Sequence, residues 1–343
     1  MQAVVVRQYG GTLELMDRPV PRPGPGEVLI RVRASGLCST DLHLLSGRQS
    51  LGELPRVLGH ELAGDVVELG HGVAGCRVGD RVTAAIDVTC GRCRHCRSGE
   101  TQRCPSMQRI GFERDGGHAE YVTLPAANLV ALPAELSYEG AAILPDAVAC
   151  MYHSLIHQGG LGVGQRVVIL GVGGLGIHGV QIARLSGAQV IATSRRQERL
   201  ALAERYGATG VNPTSQSLEE AVAEFTSGEG ADLVVDNIGT RASVGQGLGL
   251  LRPGGKLLVV AYLDEAFEIP SIPLFKMEQQ IIGCRGSTKQ DLIDVVRLVQ
   301  LGQLTPVVGA HYSLEQIREA TARLESGDLV GRIVLTRPSG ATQ

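Results

Sequence analysis

Four of the eight cysteines in this 343-residue chain fall between positions 90 and 104, spaced Cys90-x2-Cys93-x2-Cys96-x7-Cys104. A large chain with few cysteines is no disulfide scaffold, and thiols so close together serve metal or redox chemistry. The four suit tetrahedral zinc with no open position, and such a site can staple a loop but cannot present a water to a substrate. An iron–sulfur cluster is the competing reading, but the stretch CGRCRHCRSGETQRC is polar and Arg-rich rather than apolar. Arg92, Arg94, Arg97 and Arg103 are placed to offset the negative charge of four thiolates around one Zn²⁺. Upstream stand Cys38, in GLCSTDLH, and His60, in GHELAG. A thiol and an imidazole on separate turns, joined by a carboxylate or thiol from elsewhere, make a three-ligand zinc site whose fourth position is free for a substrate oxygen.

A different chemistry is written further along. The apolar run RVVIL leads directly into Gly171-Val172-Gly173-Gly174-Leu175-Gly176 and then into a helix-like segment. This is G-x-G-x-x-G in its required setting: one glycine turns the chain, the next lets backbone approach a pyrophosphate, and the last lets helix pack on strand. The helix N-terminus then offers its partial positive charge to the phosphates. About 20 residues on, a carboxylate normally holds the adenosine ribose hydroxyls. Here that place is Ser194, followed by Arg195 and Arg196. Loss of the acid removes repulsion against a 2′-phosphate and two guanidiniums add charge-assisted donors for it, so NADP(H) is expected in preference to NAD(H).

Elements of two kinds must position these groups. Residues 27–34, 63–69, 81–86 and 119–124 read as short strands separated by Gly and Pro turns, an antiparallel barrel or sandwich. From about residue 148 the pattern alternates: strands at 166–170, 189–194, 231–236 and 256–261, helices near 175–186 and 197–206. Alternation of this kind makes a parallel sheet covered by helices on both faces. Helices over 291–301 and 314–325 and a strand over 332–335 close the chain. The fold class is α/β. A net charge of −3 gives no reason to expect nucleic acid or an anionic membrane as partner. No apolar run reaches the roughly 18–20 residues of a membrane span, and Met1 to Arg7 (MQAVVVR) reads as a short strand rather than a leader, so a cytoplasmic location is expected.

The Gly59-His60-Glu61-x2-Gly64-x5-Gly70-x2-Val73 stretch, the four-cysteine lobe and the GVGGLG loop occur together in one order. In this the chain strongly resembles the zinc-dependent medium-chain alcohol dehydrogenase family, over essentially its whole length. The resemblance implies a GroES-like β-rich catalytic domain from residues 1–147 and 287–343, with a structural zinc lobe at 88–106. A doubly wound Rossmann domain spans residues 148–286 between them. It implies that Cys38 and His60 are ligands of the catalytic zinc and that Glu61 is the neighbouring carboxylate, able to approach the metal or orient it. The third ligand, commonly Cys, falls on Asp146 in LPD, four residues before CMYHSL, as in bacterial secondary-alcohol dehydrogenases with Asp there. Cys150 is the rival. Thr40 matches the hydroxyl that bonds the alcohol, and His43 the outer end of a proton relay.

The expected protein is thus a zinc-containing alcohol dehydrogenase or carbonyl reductase with two zinc ions per chain, acting on a small alcohol, aldehyde or ketone, as a homodimer or homotetramer. An NADPH-dependent enoyl or cyclic-ketone reductase on the same fold is the alternative among enzymes. A redox-inactive nucleotide-binding structural or sensor protein is the alternative outside them. His153, His157 and His178 lack ligand spacing and read as surface or satisfied core.

Overall fold

A computed structural model describes residues 1–263 and 265–336. The chain divides into two compact units, Met1–Ala149 with Gly286–Gln343, and Cys150–Arg285.

The first unit is built around one long strand, Glu27–Leu37. Its alternating apolar residues send Val28, Ile30 and Val32 into a core shared with Leu62, Val66, Val82, Val122 and Leu124. Its N-terminal half pairs antiparallel with Tyr121–Pro125, most of its length with Glu61–Leu69, and its C-terminal end with Arg332–Thr336. Two register shifts against Glu61–Leu69, between Leu29 and Ile30 and between Val32 and Ala34, bend it so that one strand serves three partners. Arg81–Ala84 and Leu129–Ala131 extend the sheet on one side, and Val308–Tyr312 pairs parallel with Arg332–Thr336 on the other. A smaller antiparallel sheet joins Gln2–Val6 to Glu14–Asp17 and Arg56–Val57. A second core, including Leu37, Leu44, Leu51, Leu58, Phe112 and Ile333, lies beneath the helices Ser39–Leu45 and Ile317–Glu325.

The second unit is a doubly wound, wholly parallel sheet. In spatial order its strands are Thr209–Val211, Gln189–Thr193, Arg166–Leu170, Ala231–Asp236, Leu251–Val259 and Gln280–Gly283. Val167, Val168 and Ile169 are all fully buried, as expected where both faces of a parallel strand are covered. The chain winds outward in one direction from Arg166–Leu170 and in the other from Ala231–Asp236, so the crevice between their C-terminal ends is the topological switch point. Sequence reading placed the four longer strands of this sheet. Thr209–Val211 and Gln280–Gly283 escaped it because three or four residues carry too little alternation to be recognised.

Candidate functional site

Cys38 directly follows the long strand Glu27–Leu37 and caps the helix Ser39–Leu45. Its Sγ accepts from the Thr40 amide at 3.4 Å, while the Asp41 carboxylate reaches back to accept from the Cys38 amide at 2.8 Å. This reciprocal capping box holds the thiol at a fixed angle. His60 follows Gly59, whose φ of +98° favours glycine and where a Cβ would stand 2.6 Å from the His118 amide nitrogen. That turn delivers the imidazole beside the thiol. Asp146 comes from the π-helical turn Leu144–Val148, a register often found at functional sites.

The three side chains converge, with donor atoms all within 4.8 Å of one another. Cys38 Sγ lies 3.5 Å from Asp146 Oδ2, and His60 Nε2 lies 3.7 Å from the same oxygen. Zinc bonds of about 2.0–2.3 Å in a tetrahedron set ligand-to-ligand edges of roughly 3.3–3.8 Å, so the set has the size and chemistry for one zinc ion with a vacant corner. Among the described residues the clusters of metal-binding side chains do not include Cys150.

The surroundings supply what sequence reading missed. Buried Asp41 places Oδ1 3.8 Å from His60 Nδ1 and Oδ2 3.6 Å from His118 Nε2, and Ser35 Oγ lies 2.7 Å from His118 Nδ1. Nδ1 of His60 thus faces the Asp41 carboxylate, beyond hydrogen-bond distance, and Nε2 is the ring nitrogen turned toward Asp146. The sequence signal was available in Asp41, which stands at the capping-box position three residues after Cys38. Arg332 gave no such signal. Its guanidinium is buried, donates to Glu61 through Nε at 3.0 Å and Nη2 at 2.6 Å, and donates to Asp146 Oδ2 at 2.5 Å. Glu61 also accepts from the Ala147 amide at 3.1 Å, which fixes the turn carrying Asp146. Glu61 therefore faces Arg332 and stands behind Asp146.

Charge follows this arrangement. Burial pushes the Glu61 carboxyl up to about 7, with the adjoining Arg332 pulling it back and Asp146 adding to the rise. Burial would raise Asp146 as well, but His60 and Arg332 hold it well below the usual carboxylate range. Burial alone would lower His60, and the Asp146 and Cys38 contacts together with Asp41 raise it well above an ordinary imidazole.

Thr40 and His43 share one face of the helix that Cys38 caps, both half-buried. His43 Nδ1 lies 3.2 Å from Arg48 Nη1. Burial first and the Arg48 charge second lower its pKa, which keeps the ring neutral near pH 7.

The four cysteines of the lobe also come together. Cys93 Sγ is 3.5 Å and Cys90 Sγ 4.0 Å from Cys96 Sγ, and Cys104 Sγ accepts from the Cys90 amide at 3.5 Å. All four are free thiols. The separations are those of ligands around one tetrahedral ion. Backbone amides of Arg92 and Cys93 lower the Cys90 thiol to about 6, so the thiolate is already favoured. Of the arginines expected to balance the cluster, Arg103 instead pairs with Glu100. The reason is the single 3-10 turn Thr101–Arg103, which brings the two side chains onto one side.

In the second unit, Gly171 takes φ +86° and the helix Gly176–Leu185 starts so close that a Cβ on Gly176 would overlap the Gly171 carbonyl oxygen. Gly173 has open space in front of it, as a backbone receiving a phosphate requires, and Gly174 and Leu175 complete the turn. Ser194 is buried at the end of its strand, its hydroxyl accepting from the Arg196 amide at 3.1 Å. Arg195 is exposed, and Arg196 is half-buried before the helix Gln197–Arg205. His178 is fully buried and bonds the Gly174 carbonyl at 2.7 Å, and buried His153 meets Gln158, so both are satisfied core residues.

A β-rich unit that converges a thiol, an imidazole and a carboxylate, with a Rossmann unit carrying a pyrophosphate loop, defines a metal-assisted, dinucleotide-dependent oxidoreductase. Residues 24–134 match the model of the alcohol dehydrogenase GroES-like domain, and residues 174–300 that of the zinc-binding dehydrogenases. An NAD-dependent alcohol dehydrogenase of Sulfolobus acidocaldarius is 34% identical over 98% of this chain and 99% of its own length. An acryloyl-coenzyme A reductase of Metallosphaera sedula is 32% identical over 98% of this chain and 100% of its own. The solved alcohol dehydrogenase of Aeropyrum pernix superposes with a TM-score of 0.92 at 33% identity, covering 98% of this chain and 100% of that one. The chain belongs to the zinc-dependent medium-chain alcohol dehydrogenase family and is an oxidoreductase, and membership implies zinc and a nicotinamide cofactor. No helix among the described residues is long and apolar enough to cross a membrane.

Proposed function

We propose that this protein interconverts a small alcohol and its aldehyde or ketone, with NADP(H) preferred over NAD(H) and two zinc ions per chain. Cys38, His60 and Asp146 would hold the catalytic ion, and Cys90, Cys93, Cys96 and Cys104 the structural one. The observation that carries the reading is the convergence of Cys38, His60 and Asp146 in a three-donor set with no fourth protein ligand among the described residues. Zinc bound there supplies a Lewis acid that polarises a substrate oxygen.

The chain's own groups do the rest. Asp41 orients His60 from behind, and Arg332 with Glu61 fixes Asp146. Thr40 Oγ1, two residues from Cys38, would accept the alcohol proton as it gives up its own hydroxyl proton, and His43, neutral at pH 7, would take up the released proton and pass it to solvent. The glycine loop at 171–176 seats the pyrophosphate, and Ser194, Arg195 and Arg196 accept the 2′-phosphate of the cofactor. The protein acts as a cytoplasmic homodimer or homotetramer.

Kinetics of small alcohols and ketones with both cofactors test this reading. Wild type should show the higher kcat/KM with NADPH. Ser194→Asp combined with neutral replacements of Arg195 and Arg196 should reverse the order, by roughly ten- to a hundredfold for each charge-assisted contact removed. A wild type that prefers NADH removes the 2′-phosphate assignment. The likeness to an acryloyl-coenzyme A reductase supports a second reading, reduction of an activated C=C bond by the same hydride donor. Turnover of enoyl thioesters without turnover of any alcohol or ketone would favour it.

A further inference from the structure

Asn237 is the first residue beyond the strand Ala231–Asp236, at the switch point of the parallel sheet. Its amide donates to the Leu170 carbonyl at 3.1 Å and so ties together the ends of the two central strands. The turn that follows is fixed by its neighbour. Fully buried Asp236 accepts through Oδ1 from the Ile238 amide at 2.8 Å and the Gly239 amide at 3.1 Å, and through Oδ2 from Ser243 Oγ at 2.8 Å. The root of the Asn237 side chain is therefore rigid. Its Nδ2 lies 3.4 Å from where a Cβ on Gly176 would stand, and its Cβ 3.8 Å from where one on Gly171 would stand. The carboxamide thus lies over the glycine loop, between the first and last glycines of the motif. Its Nδ2 and Oδ1 are both buried, and among the described residues neither has a hydrogen-bond partner. Such a group is a standing cost unless something else completes it.

We propose that Asn237 orients the dinucleotide by pairing its carboxamide with hydroxyls of the ribose that carries the nicotinamide. This rests on the dinucleotide reading above and adds a residue to it. Hydrogen-bonding chemistry and position both select that ribose. The unpaired atoms are one donor group and one acceptor, so the partner must also both accept and donate. Pyrophosphate oxygens only accept and would leave Oδ1 unpaired, whereas hydroxyls do both. Position selects the same ribose. The adenosine ribose belongs at the end of Gln189–Thr193, which pairs with one side of Arg166–Leu170, and the pyrophosphate at the start of the helix Gly176–Leu185. Asn237 stands on the strand that pairs with the other side, where the dinucleotide continues beyond its phosphates.

Calorimetric binding of ADP-ribose and ADP, and of their 2′-phosphorylated forms, separates the second ribose from the rest of the cofactor. Asn237→Leu keeps the side-chain volume and removes both polar atoms. It should weaken the ADP-ribose ligands at least tenfold and leave the ADP ligands within twofold of wild type, which also shows that the crevice is intact. Should Asn237→Leu fail to fold, Asn237→Ala is measured in the same way against the same expectation. Equal losses with both ligand types, or no loss with either, would overturn the assignment while leaving the dinucleotide reading in place. A wild type that binds none of the four would overturn that reading and the assignment with it.

Discussion

The two clusters of metal-binding side chains are made in opposite ways. The cysteine lobe takes all four thiols from residues 90–104, with Cys93 capping the single helical turn Arg94–Arg97 and exposed arginines around it. The other set draws Cys38 from a strand end, His60 from a glycine turn and Asp146 from a π-helical turn. It is surrounded by buried Asp41, Glu61, His118 and Arg332. A local cluster closes a short loop and can only stabilise it. A cluster gathered from distant segments needs the whole fold to exist first, and under the zinc assignment proposed above its buried charged shell would position three ligands and leave a fourth corner open. Damage to the lobe should therefore appear in stability before chemistry, and damage to the dispersed set in chemistry before zinc or cofactor binding at the other sites.

The largest expected effect on chemistry comes from Thr40→Ala. Without its hydroxyl the alcohol proton has no exit, and alcohol oxidation should fall by about two to four decades with zinc content and NADPH binding unchanged. Full activity in this variant would break the contrast and shift weight to C=C reduction. Arg332→Leu should be the most destabilising change around the dispersed set, because it leaves the buried Glu61 carboxylate without the guanidinium that it accepts from. The cost expected is about 3–5 kcal/mol in denaturant unfolding. Adding Glu61→Gln should recover part of it, and a neutral result for Arg332→Leu would mean that the cation is dispensable there.

His43→Gln should have the smallest effect, a loss of about one to two decades. The folded-state pKa of His43 is lowered, so its proton-accepting form is lost only as pH falls below the ordinary imidazole value near 6.5. Wild-type kcat/KM should show that acidic limb, and the variant should lack it and recover activity toward high pH as hydroxide takes the proton. An unchanged pH profile removes His43 from the relay.

The same contrast explains how much could be read from the sequence. The cysteine lobe and the strand–loop–helix of 166–185 were legible because each is contiguous, with its chemistry and its geometry in one short stretch. The α/β class and the longer parallel strands were legible from alternation of apolar runs. Asp146 could be located only through the family resemblance, since nothing local marks an Asp within Leu144–Val148 as a ligand. Arg332 was illegible, because its partner Glu61 lies 271 residues away and only the pairing of Arg332–Thr336 with Glu27–Leu37 brings them together. Asn237 was equally hidden, since an Asn after a strand reads as a turn residue until the glycine loop is seen beneath it.

Zinc content per chain, measured on purified wild type, Cys38→Ser and Cys93→Ser, tests the division of labour most directly. Wild type should hold two zinc ions. Cys38→Ser should hold one, with thermal stability near that of wild type and no alcohol turnover, and Cys93→Ser should lose stability together with the lobe's ion. A single zinc in wild type that survives Cys38→Ser and disappears with Cys93→Ser would contradict the claim that Cys38, His60 and Asp146 hold a catalytic metal.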